Sequence, residues 1–123
     1  MIDKPSKVLV VEDDGLICLL LEDLLAELGC DVVGPANTAE NAEAMAVAQP
    51  VDFALLDVTL GRDTSYATAE LLRDRRIPFA FLTGHDSERI REDMRGAPVL
   101  RKPIDIDKLE QLLRRSRILP PLF

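Results

Sequence analysis

Five short, mostly apolar runs recur along the chain, and a segment of helical composition follows each of them. The runs are Val8–Val11, Asp31–Val33, Phe53–Leu56, Pro78–Leu82 and Val99–Leu100. Short continuous runs rich in β-branched or aromatic residues are typical of strands that are buried on both faces. Strands that alternate with helices favour a parallel sheet, because each crossover lays a helix on one face of the sheet. The sequence therefore predicts an α/β fold with helices on both faces of a five-stranded parallel sheet.

The predicted helices have recognisable ends. They cover Leu16–Leu28, Thr38–Gln49, a third segment that ends near Arg75, Ser87–Arg95 and Ile104–Ser116. Gly29 and Pro50 end the first two, as glycine and proline commonly do. Gly34 and Pro35 are interpreted as a turn that ends the second strand, and residues 61–65 as a loop. No linker, repeat or low-complexity segment interrupts this order.

The size and composition fit one small domain. The chain has 123 residues, of which 47% are hydrophobic, enough for one core. We therefore expect a single domain over residues 1–123, with a core of about 7–117 and no output domain. Cys18 and Cys30 fit no metal-binding or redox spacing, so we interpret them as reduced, partly buried thiols.

Charge and hydropathy restrict the partners. Fifteen lysines and arginines stand against 22 acids, so the net charge is −7. An acidic balance argues against nucleic acid and against anionic membrane surfaces as partners. The longest apolar stretch, Leu16–Leu21, is too short to span a bilayer, and residues 1–7 lack the apolar core of a signal peptide. The expected location is the cytoplasm.

Chemically active side chains follow four of the five predicted strands. They are Glu12, Asp13 and Asp14 after the first, Asp57 after the third, Thr83 and Gly84 after the fourth, and Lys102 after the fifth. The carboxyl ends of parallel strands meet at one edge of a sheet, where ligands bind in such folds. Clustered carboxylates repel one another, and Mg²⁺ relieves that repulsion. A carboxylate can also accept a phosphoryl group when cations neutralise the transferring oxygens.

Each of these residues also has an ordinary structural interpretation. Asp14 is placed as the N-cap of the first predicted helix. A single threonine after a strand is usually structural, and Lys102 alone would be a solvated surface residue. The residues together favour a phosphoryl-accepting metal site more strongly than any one of them alone. The reason is that they occupy the ends of successive strands in a consistent order.

Four segments give the chain a clear resemblance to the receiver domain of two-component response regulators. They are Val8–Asp14, Ala54–Val58, Phe81–Gly84 and Leu100–Pro103. Each segment alone is weakly specific, whereas the four in this order are highly specific. The resemblance covers nearly the whole chain. It implies a flavodoxin-like, doubly wound sheet with strand order 2-1-3-4-5.

The resemblance also implies a role for each residue around the metal. Asp57 is expected to be the phosphoacceptor and a ligand of Mg²⁺. Asp13 is expected to bind the ion directly, and Glu12 directly or through water. The backbone carbonyl of Thr59, two residues beyond the acceptor, is expected to be a further ligand.

The phosphoryl group would meet a second set of residues. The resemblance implies that the Thr83 hydroxyl senses the group, that Gly84 leaves room beside it, and that Lys102 pairs with it. The bond between Lys102 and Pro103 is expected to be cis. The phosphoryl donor would be a phosphohistidine on a sensor histidine kinase or a histidine phosphotransfer protein, and the downstream partner protein is unknown.

Three departures from the usual pattern concern signalling. One is the short segment between the fourth and fifth predicted strands, which implies a reduced fourth helix and an altered signalling face. Many receivers carry an aromatic switch residue three positions before the lysine, where this chain has Val99. His85 is a candidate replacement for that switch, and an ordinary exposed loop histidine is an equally good interpretation. The segment Pro78–His85 resembles a subgroup of alphaproteobacterial receivers with a Phe-x-Phe-x-Thr-Gly signature, some of which stand alone in stress-signalling phosphorelays.

The first predicted helix carries more apolar residues than one buried face requires. Leu16, Leu19, Leu20 and Leu24 are among nine apolar residues other than alanine between positions 16 and 28. The excess could dock a partner helix or mediate a homodimer, or it could be buried against the last helix. Both interpretations stay open from the sequence.

Three functions compete at this stage. The first is a single-domain response regulator, which is not itself an enzyme and which signals by protein contacts or phosphoryl relay. The second is a binding module that keeps the fold but works without phosphorylation. The third is a phosphatase with an aspartyl-phosphate intermediate, which would need a general acid where this chain has Thr59. The complete set of acids, threonine and lysine favours the first.

Overall fold

A computed structural model of the protein describes residues 4–84 and 90–121. The elements, in chain order, are β1 (Lys7–Val11), α1 (Gly15–Glu27), β2 (Asp31–Ala36), α2 (Ala39–Ala48), β3 (Phe53–Asp57), β4 (Thr59–Leu60), β5 (Asp63–Thr64), α3 (Tyr66–Asp74), β6 (Phe79–Thr83), a 3-10 turn (Glu92–Met94), β7 (Val99–Arg101) and α4 (Ile106–Arg115).

Five strands form one parallel sheet in the order β2-β1-β3-β6-β7. Without the short strands β4 and β5, this is the predicted order 2-1-3-4-5, and the flavodoxin-like fold is confirmed. The order reverses between β1 and β3, which is where such sheets open a crevice for ligands.

The sheet separates two apolar layers. Alternate residues of a strand point to opposite faces, so Leu9 and Val11 pack in one layer, while Val8 and Val10 pack in the other. The first layer includes buried residues of α2 and α3. The second includes Leu21 and Leu25 of α1 together with Leu109, Leu112 and Leu113 of α4. Most side chains of the inner strands β1, β3 and β6 are fully buried, which is why these strands appear in the sequence as continuous apolar runs.

Side-chain caps fix where three helices begin. Asp14 Oδ1 accepts the backbone N–H groups of Leu16 at 2.9 Å and Ile17 at 3.4 Å, which confirms Asp14 as an N-cap. Thr38 caps α2 and Asp105 caps α4 in the same way. The cap on α1 holds the first turn of that helix directly beside the acids that follow β1.

The prediction that Gly34 and Pro35 end the second strand is wrong. Leu9 pairs with Val33 and Val11 pairs with Ala36, so β2 carries one residue more than β1 between these pairs. This bulge accommodates Gly34, which has φ +93°, and the cis Gly34–Pro35 peptide bond. Since β2 lies at the edge of the sheet, a proline that donates no hydrogen bond is tolerated there.

Two further segments differ from the prediction. Residues 61–65 were predicted as a loop, but the chain forms an antiparallel hairpin in which Thr59 pairs with Thr64 and Leu60 with Asp63. The predicted helix Ser87–Arg95 lies partly outside the described residues. In its described part, from Ile90 onward, only the 3-10 turn Glu92–Met94 is helical, so the prediction is wrong there.

None of the helices in the described parts of the chain has the length and hydropathy needed to cross a bilayer.

Candidate functional site

The carboxyl ends of four strands bring the predicted site residues to one edge of the sheet. Glu12 follows β1, Asp57 ends β3, Thr83 ends β6 and Lys102 follows β7. Three of the four are buried, with exposures of 0% for Glu12 and 6% each for Asp57 and Thr83. Buried polar groups need partners, so the contacts among these residues define the site.

Glu12 is held from two sides. Its Oε2 accepts the backbone N–H groups of Asp13 at 3.0 Å and Asp14 at 3.1 Å. Its Oε1 lies 2.6 Å from Lys102 Nζ. The tight turn between β1 and α1 therefore folds back onto its own first carboxylate and fixes it within the site.

Lys102 joins the two buried acids. Its Nζ lies 2.6 Å from Glu12 Oε1 and 3.1 Å from Asp57 Oδ2. The Lys102 backbone N–H also donates to the Thr83 carbonyl at 2.8 Å, and the Lys102–Pro103 peptide bond is cis. The side chain of Lys102 is therefore anchored beside Asp57, and its backbone is tied to the end of β6.

Burial and charge shift the protonation of this cluster. Burial raises the pKa of Glu12 from 4.5 to about 7, and the neighbouring Asp57 adds to that rise, while Lys102 opposes it. For Lys102, burial lowers the pKa, but the hydrogen bonds with Glu12 and Asp57 outweigh it, so the net shift is upward. Lys102 stays charged, and Glu12 gains a proton readily near neutral pH.

Asp13 is the exposed acid of the site and is tethered by the hairpin. Its Oδ2 accepts the backbone N–H of Gly61 at 2.9 Å, across 48 positions in sequence. Gly61 has φ +60°, which a glycine adopts without strain in the turn between β4 and β5. The tether escaped the sequence prediction, since residues 61–65 read as a loop and nothing in the pattern linked it to Asp13.

Thr59 lies at the start of β4, close to Asp57. Its backbone N–H donates to Asp57 Oδ1 at 3.4 Å. The next bonded pair of the hairpin joins Ser65 N–H to the Val58 carbonyl. Because bonded and non-bonded pairs alternate in an antiparallel ladder, the hairpin itself makes no use of the Thr59 carbonyl.

The donor set suits a hard divalent cation. Carboxylate oxygens of Glu12, Asp13 and Asp57 all lie within 4.8 Å of one another. Lys102 is the one cation that contacts two of these acids within the described residues, so their charge is only partly neutralised. Mg²⁺ takes a few carboxylate oxygens and keeps other oxygens as its remaining ligands. The residues present therefore fit Mg²⁺.

The residues expected to meet the phosphoryl group lie beside the acids. Thr83 ends β6 next to Asp57, since Asp57 pairs with Leu82 in the sheet. A Cβ at Gly84 would have no atom of the described residues within 4 Å, so nothing in that part of the chain fills the space beside Gly84. The candidate switch residue His85 lies outside the described residues.

The usual place of the aromatic switch is occupied by a surface residue. Val99 is 43% exposed on β7. The aromatic contact on that face comes from α3, where the Tyr66 ring meets Phe81 edge to face at 5.7 Å. The Tyr66 hydroxyl accepts the Arg91 backbone N–H at 2.9 Å, and the Arg91 guanidinium lies 4.9 Å from the ring centroid.

An apolar surface borders the site on α1. Leu16, Leu19 and Leu20 are 79%, 59% and 39% exposed, whereas Leu21 and Leu25 are fully buried. An adjoining cavity of about 320 Å³ is lined by Ile17, Leu20, Lys102, Pro103 and Ile104. Some leucines of this helix are therefore buried in the same layer as those of α4, as one interpretation has it. The others stay on the surface, and docking of a partner there stays a prediction.

Comparisons with known proteins agree with this geometry. A family model described as the response regulator receiver domain matches residues 8–114. The chain is 31% identical over 109 residues to the transcriptional regulatory protein PdtaR of Mycobacterium tuberculosis, and the match covers 85% of this chain and 53% of PdtaR. The chain spans at most about half the length of the curated relatives that it matches.

Solved structures share both fold and sequence features with the chain. The solution structure of SdrG from Sphingomonas melonis Fr1 is 36% identical, with a TM-score of 0.84 over 94% of this chain and 99% of that one. The BeF3-activated conformation of SdrG, from Pseudomonas melonis Fr1, has a TM-score of 0.77 at 35% identity and covers 96% of this chain and 100% of that one. A CheY-like receiver domain from Methylobacillus flagellatus has a TM-score of 0.80 over 91% of this chain and 98% of that one, and at 23% identity this likeness concerns the fold alone.

Proposed function

Because the chain belongs to the response regulator receiver domain family, we propose that Asp57 accepts a phosphoryl group from a phosphohistidine of a sensor kinase or phosphotransfer protein. One observation carries the proposal. Asp57 Oδ2 lies 3.1 Å from Lys102 Nζ, at an edge where its carboxylate clusters with those of Glu12 and Asp13. A carboxylate so placed has both an anion-stabilising cation and a metal-binding set beside it.

The proposed transfer is a simple exchange of bonds. An oxygen of Asp57 forms a bond to phosphorus while the phosphorus–nitrogen bond of the phosphohistidine breaks. The leaving imidazole nitrogen keeps the electron pair of that bond. Lys102 stabilises the negative charge of the phosphoryl oxygens, and the Thr83 hydroxyl donates a hydrogen bond to one of them.

Glu12, Asp13 and Asp57 would hold Mg²⁺, and the backbone carbonyl of Thr59 would complete the protein ligands. When bound, the ion would neutralise charge on the transferring phosphoryl group. The Gly61 N–H that holds Asp13 supports this role, because it orients the exposed acid toward the other two.

The proposal extends to how the domain acts. The receiver would work through contacts with a downstream protein, or by passing the phosphoryl group along a relay. The exposed leucines of α1, next to Lys102, offer a surface on which the phosphohistidine donor would dock.

Phosphorylation with a small donor tests the proposal directly. The wild type and Asp57→Asn are incubated with acetyl phosphate and Mg²⁺, and phosphorylated species are resolved on a phosphate-binding gel. We expect a shifted band for the wild type, none for Asp57→Asn, and none for the wild type with excess EDTA.

Asp14→Asn is the matched control. It removes a carboxylate one position from Asp13, but asparagine caps a helix as well as aspartate does, so phosphorylation should persist. An unlabelled wild type, or an Asp57→Asn protein labelled as strongly as the wild type, would contradict the proposal.

A further inference from the structure

The three acids of the site share one pattern of backbone contacts. Glu12 Oε2 accepts two N–H groups from the turn that follows β1, at 3.0 and 3.1 Å. Asp13 Oδ2 accepts the N–H of Gly61 at 2.9 Å, and Asp57 Oδ1 accepts that of Thr59 at 3.4 Å. In each carboxylate, one oxygen is therefore engaged by the backbone.

The second oxygen of each acid is left for the site. In the described parts of the chain, no backbone N–H donates to Glu12 Oε1, Asp13 Oδ1 or Asp57 Oδ2. The first and the last of these atoms lie 2.6 and 3.1 Å from Lys102 Nζ. One oxygen of each acid lies within 4.8 Å of one oxygen of each other acid. The three carboxylates can therefore offer one oxygen each to a common ligand.

The hairpin that holds Asp13 is itself anchored in the core. Leu60 is only 4% exposed and packs in the apolar layer that includes α2 and α3. The Ser65 N–H donates to the Val58 carbonyl at 3.0 Å and closes the base of the hairpin. The position of the Gly61 N–H is therefore fixed by packing and by the backbone ladder.

This pattern suits one divalent cation better than another. Mg²⁺ demands near-octahedral geometry and takes single oxygens from its ligands, whereas Ca²⁺ accepts about six to eight oxygens and often binds both oxygens of one carboxylate. A carboxylate whose one oxygen accepts an N–H must break that hydrogen bond before both oxygens can turn to an ion. Backbone donors to all three acids therefore disfavour the larger ion.

Asp13 is the acid for which the backbone donor matters most. Glu12 and Asp57 are buried and contact Lys102, so their surroundings restrict them in several ways. The Asp13 side chain is exposed, and within the described residues the Gly61 N–H is its one hydrogen-bond partner. Without that N–H, the Asp13 carboxylate could rotate and present both oxygens.

We propose that the β4–β5 hairpin makes the acidic site selective for Mg²⁺ over Ca²⁺, because the Gly61 N–H leaves only one oxygen of Asp13 for the metal. This selectivity rests on the Mg²⁺ site proposed above. Gly61 is then a positioning residue, which acts on the metal through Asp13. Groups that orient metal ligands in this way commonly change metal affinity by about 10- to 100-fold when they are removed.

Metal titrations of a loosened hairpin test the selectivity. The ¹⁵N-labelled protein is titrated with MgCl₂ or CaCl₂, and NMR shifts give the two dissociation constants. We expect the wild type to bind Mg²⁺ at least about tenfold more tightly than Ca²⁺. Leu60→Ala removes the anchor of the hairpin and keeps every acid, so this preference should fall about tenfold. The matched control Leu72→Ala empties the same apolar layer on α3 and should keep it.

Replacing Gly61 by glycolic acid tests the donor itself. The change turns one backbone N–H into an ester oxygen and leaves every side chain in place. In semisynthetic protein, we expect Ca²⁺ to bind more tightly and Mg²⁺ no more tightly, so the preference should again fall about tenfold. The same replacement at Gly96, which lies between the 3-10 turn and β7, should leave both dissociation constants unchanged.

Three results would overturn the proposal: equal affinity of the wild type for both ions, an unchanged preference after the ester replacement at Gly61, or an equal fall in Leu60→Ala and Leu72→Ala. Labelling by acetyl phosphate separates this inference from the proposed function. A wild type that is labelled but shows no preference for Mg²⁺ would overturn the selectivity alone. A wild type that prefers Mg²⁺ but stays unlabelled would overturn the phosphorylation alone.

Discussion

Glu12 combines features that rarely occur together in one carboxylate. It is fully buried, accepts two backbone N–H groups and contacts Lys102, yet burial raises its pKa from 4.5 to about 7. An acid whose pKa is raised on folding binds its proton more tightly in the folded protein than in the unfolded chain. Its contribution to stability is therefore complete at pH values below 4.5 and is lost as the pH rises toward about 7.

We predict that Glu12→Gln flattens this part of the pH dependence. In metal-free buffer, the free energy of unfolding of the wild type should decline between about pH 5 and pH 7, by at most about 3 kcal/mol from this group. The glutamine variant keeps the shape of the protonated acid and cannot ionise, so its decline should be smaller. Urea unfolding at several pH values measures the difference, and identical slopes for both proteins would contradict the assignment.

At the residue scale, the sequence predicted most of the site. The site side chains lie at the carboxyl ends of strands, and in a parallel sheet these ends meet at one edge. We could therefore predict that the side chains converge without knowing any contact between them. They are those of Glu12, Asp57, Thr83 and Lys102. The tether from Gly61 to Asp13 was beyond prediction, because it depends on a two-residue turn that places one N–H across 48 positions. His85, the candidate switch residue, lies outside the described residues.

Among the elements, β2 shows how local geometry can override a turn signal. The pair Gly34 and Pro35 usually marks a turn, but here the bulge against β1 lets the strand continue to Ala36. The Glu12 backbone N–H then donates to the Ala36 carbonyl at 3.0 Å. The irregular strand therefore reaches the site and supports the residue at its centre.

We predict that Gly34→Ala is strongly destabilising. Its φ is +93°, and an added Cβ would lie 2.7 Å from Ala36 N and 3.1 Å from the Val10 carbonyl oxygen, both of them backbone atoms. The free energy of unfolding should fall by about 3 kcal/mol, from backbone strain and overpacking together.

Gly96→Ala is the matched control for this change. A Cβ there meets no atom within 4 Å, so the free energy of unfolding should change by no more than about 0.5 kcal/mol. Equal stability of the two variants in urea would show that β2 relaxes around the new methyl group, against this prediction.

The five strands and four long helices were predictable because buried parallel strands read as apolar runs between helical segments. Residues 61–65 and 90–95 were not. The first segment forms its hairpin from two strands of two residues each. Strands this short cannot show the alternation of apolar and polar residues that identifies a strand in a sequence. The second segment is polar and carries helix-forming residues, but it forms only a 3-10 turn. Arg91, just before that turn, contacts Glu70 of α3 at 3.0 Å and Asp93 at 2.6 Å.

The whole molecule presents an exposed apolar surface on α1 beside the site. Leu16 and Leu19 are its most exposed members, and the adjoining cavity reaches Lys102. A phosphohistidine donor must approach Asp57 closely, so a surface next to the site can hold the donor in place during transfer.

We predict that Leu16→Glu with Leu19→Glu blocks transfer from a protein donor and leaves chemical phosphorylation intact. Histidine kinases from the source organism are autophosphorylated and screened for one that labels the wild type. With that kinase the double variant should be labelled at least about tenfold more slowly, since the charges remove apolar contact. Labelling by acetyl phosphate should be unchanged.

Val47→Glu is the control, because Val47 is 60% exposed on α2, away from the site. Its labelling by the kinase should match the wild type. If Val47→Glu and the α1 variant were slowed equally, general charge repulsion rather than docking would be responsible.

The clustering of Glu12, Asp13 and Asp57 at one edge of the sheet also concentrates negative electric potential there. In the field of a charged partner such a molecule rotates as it diffuses, so collisions are oriented before contact begins. A basic protein would therefore meet the Asp57 edge first. Salt shortens the range of this torque to about 10 Å at 0.1 M. The rate at which a basic partner finds this edge should therefore fall as the ionic strength rises.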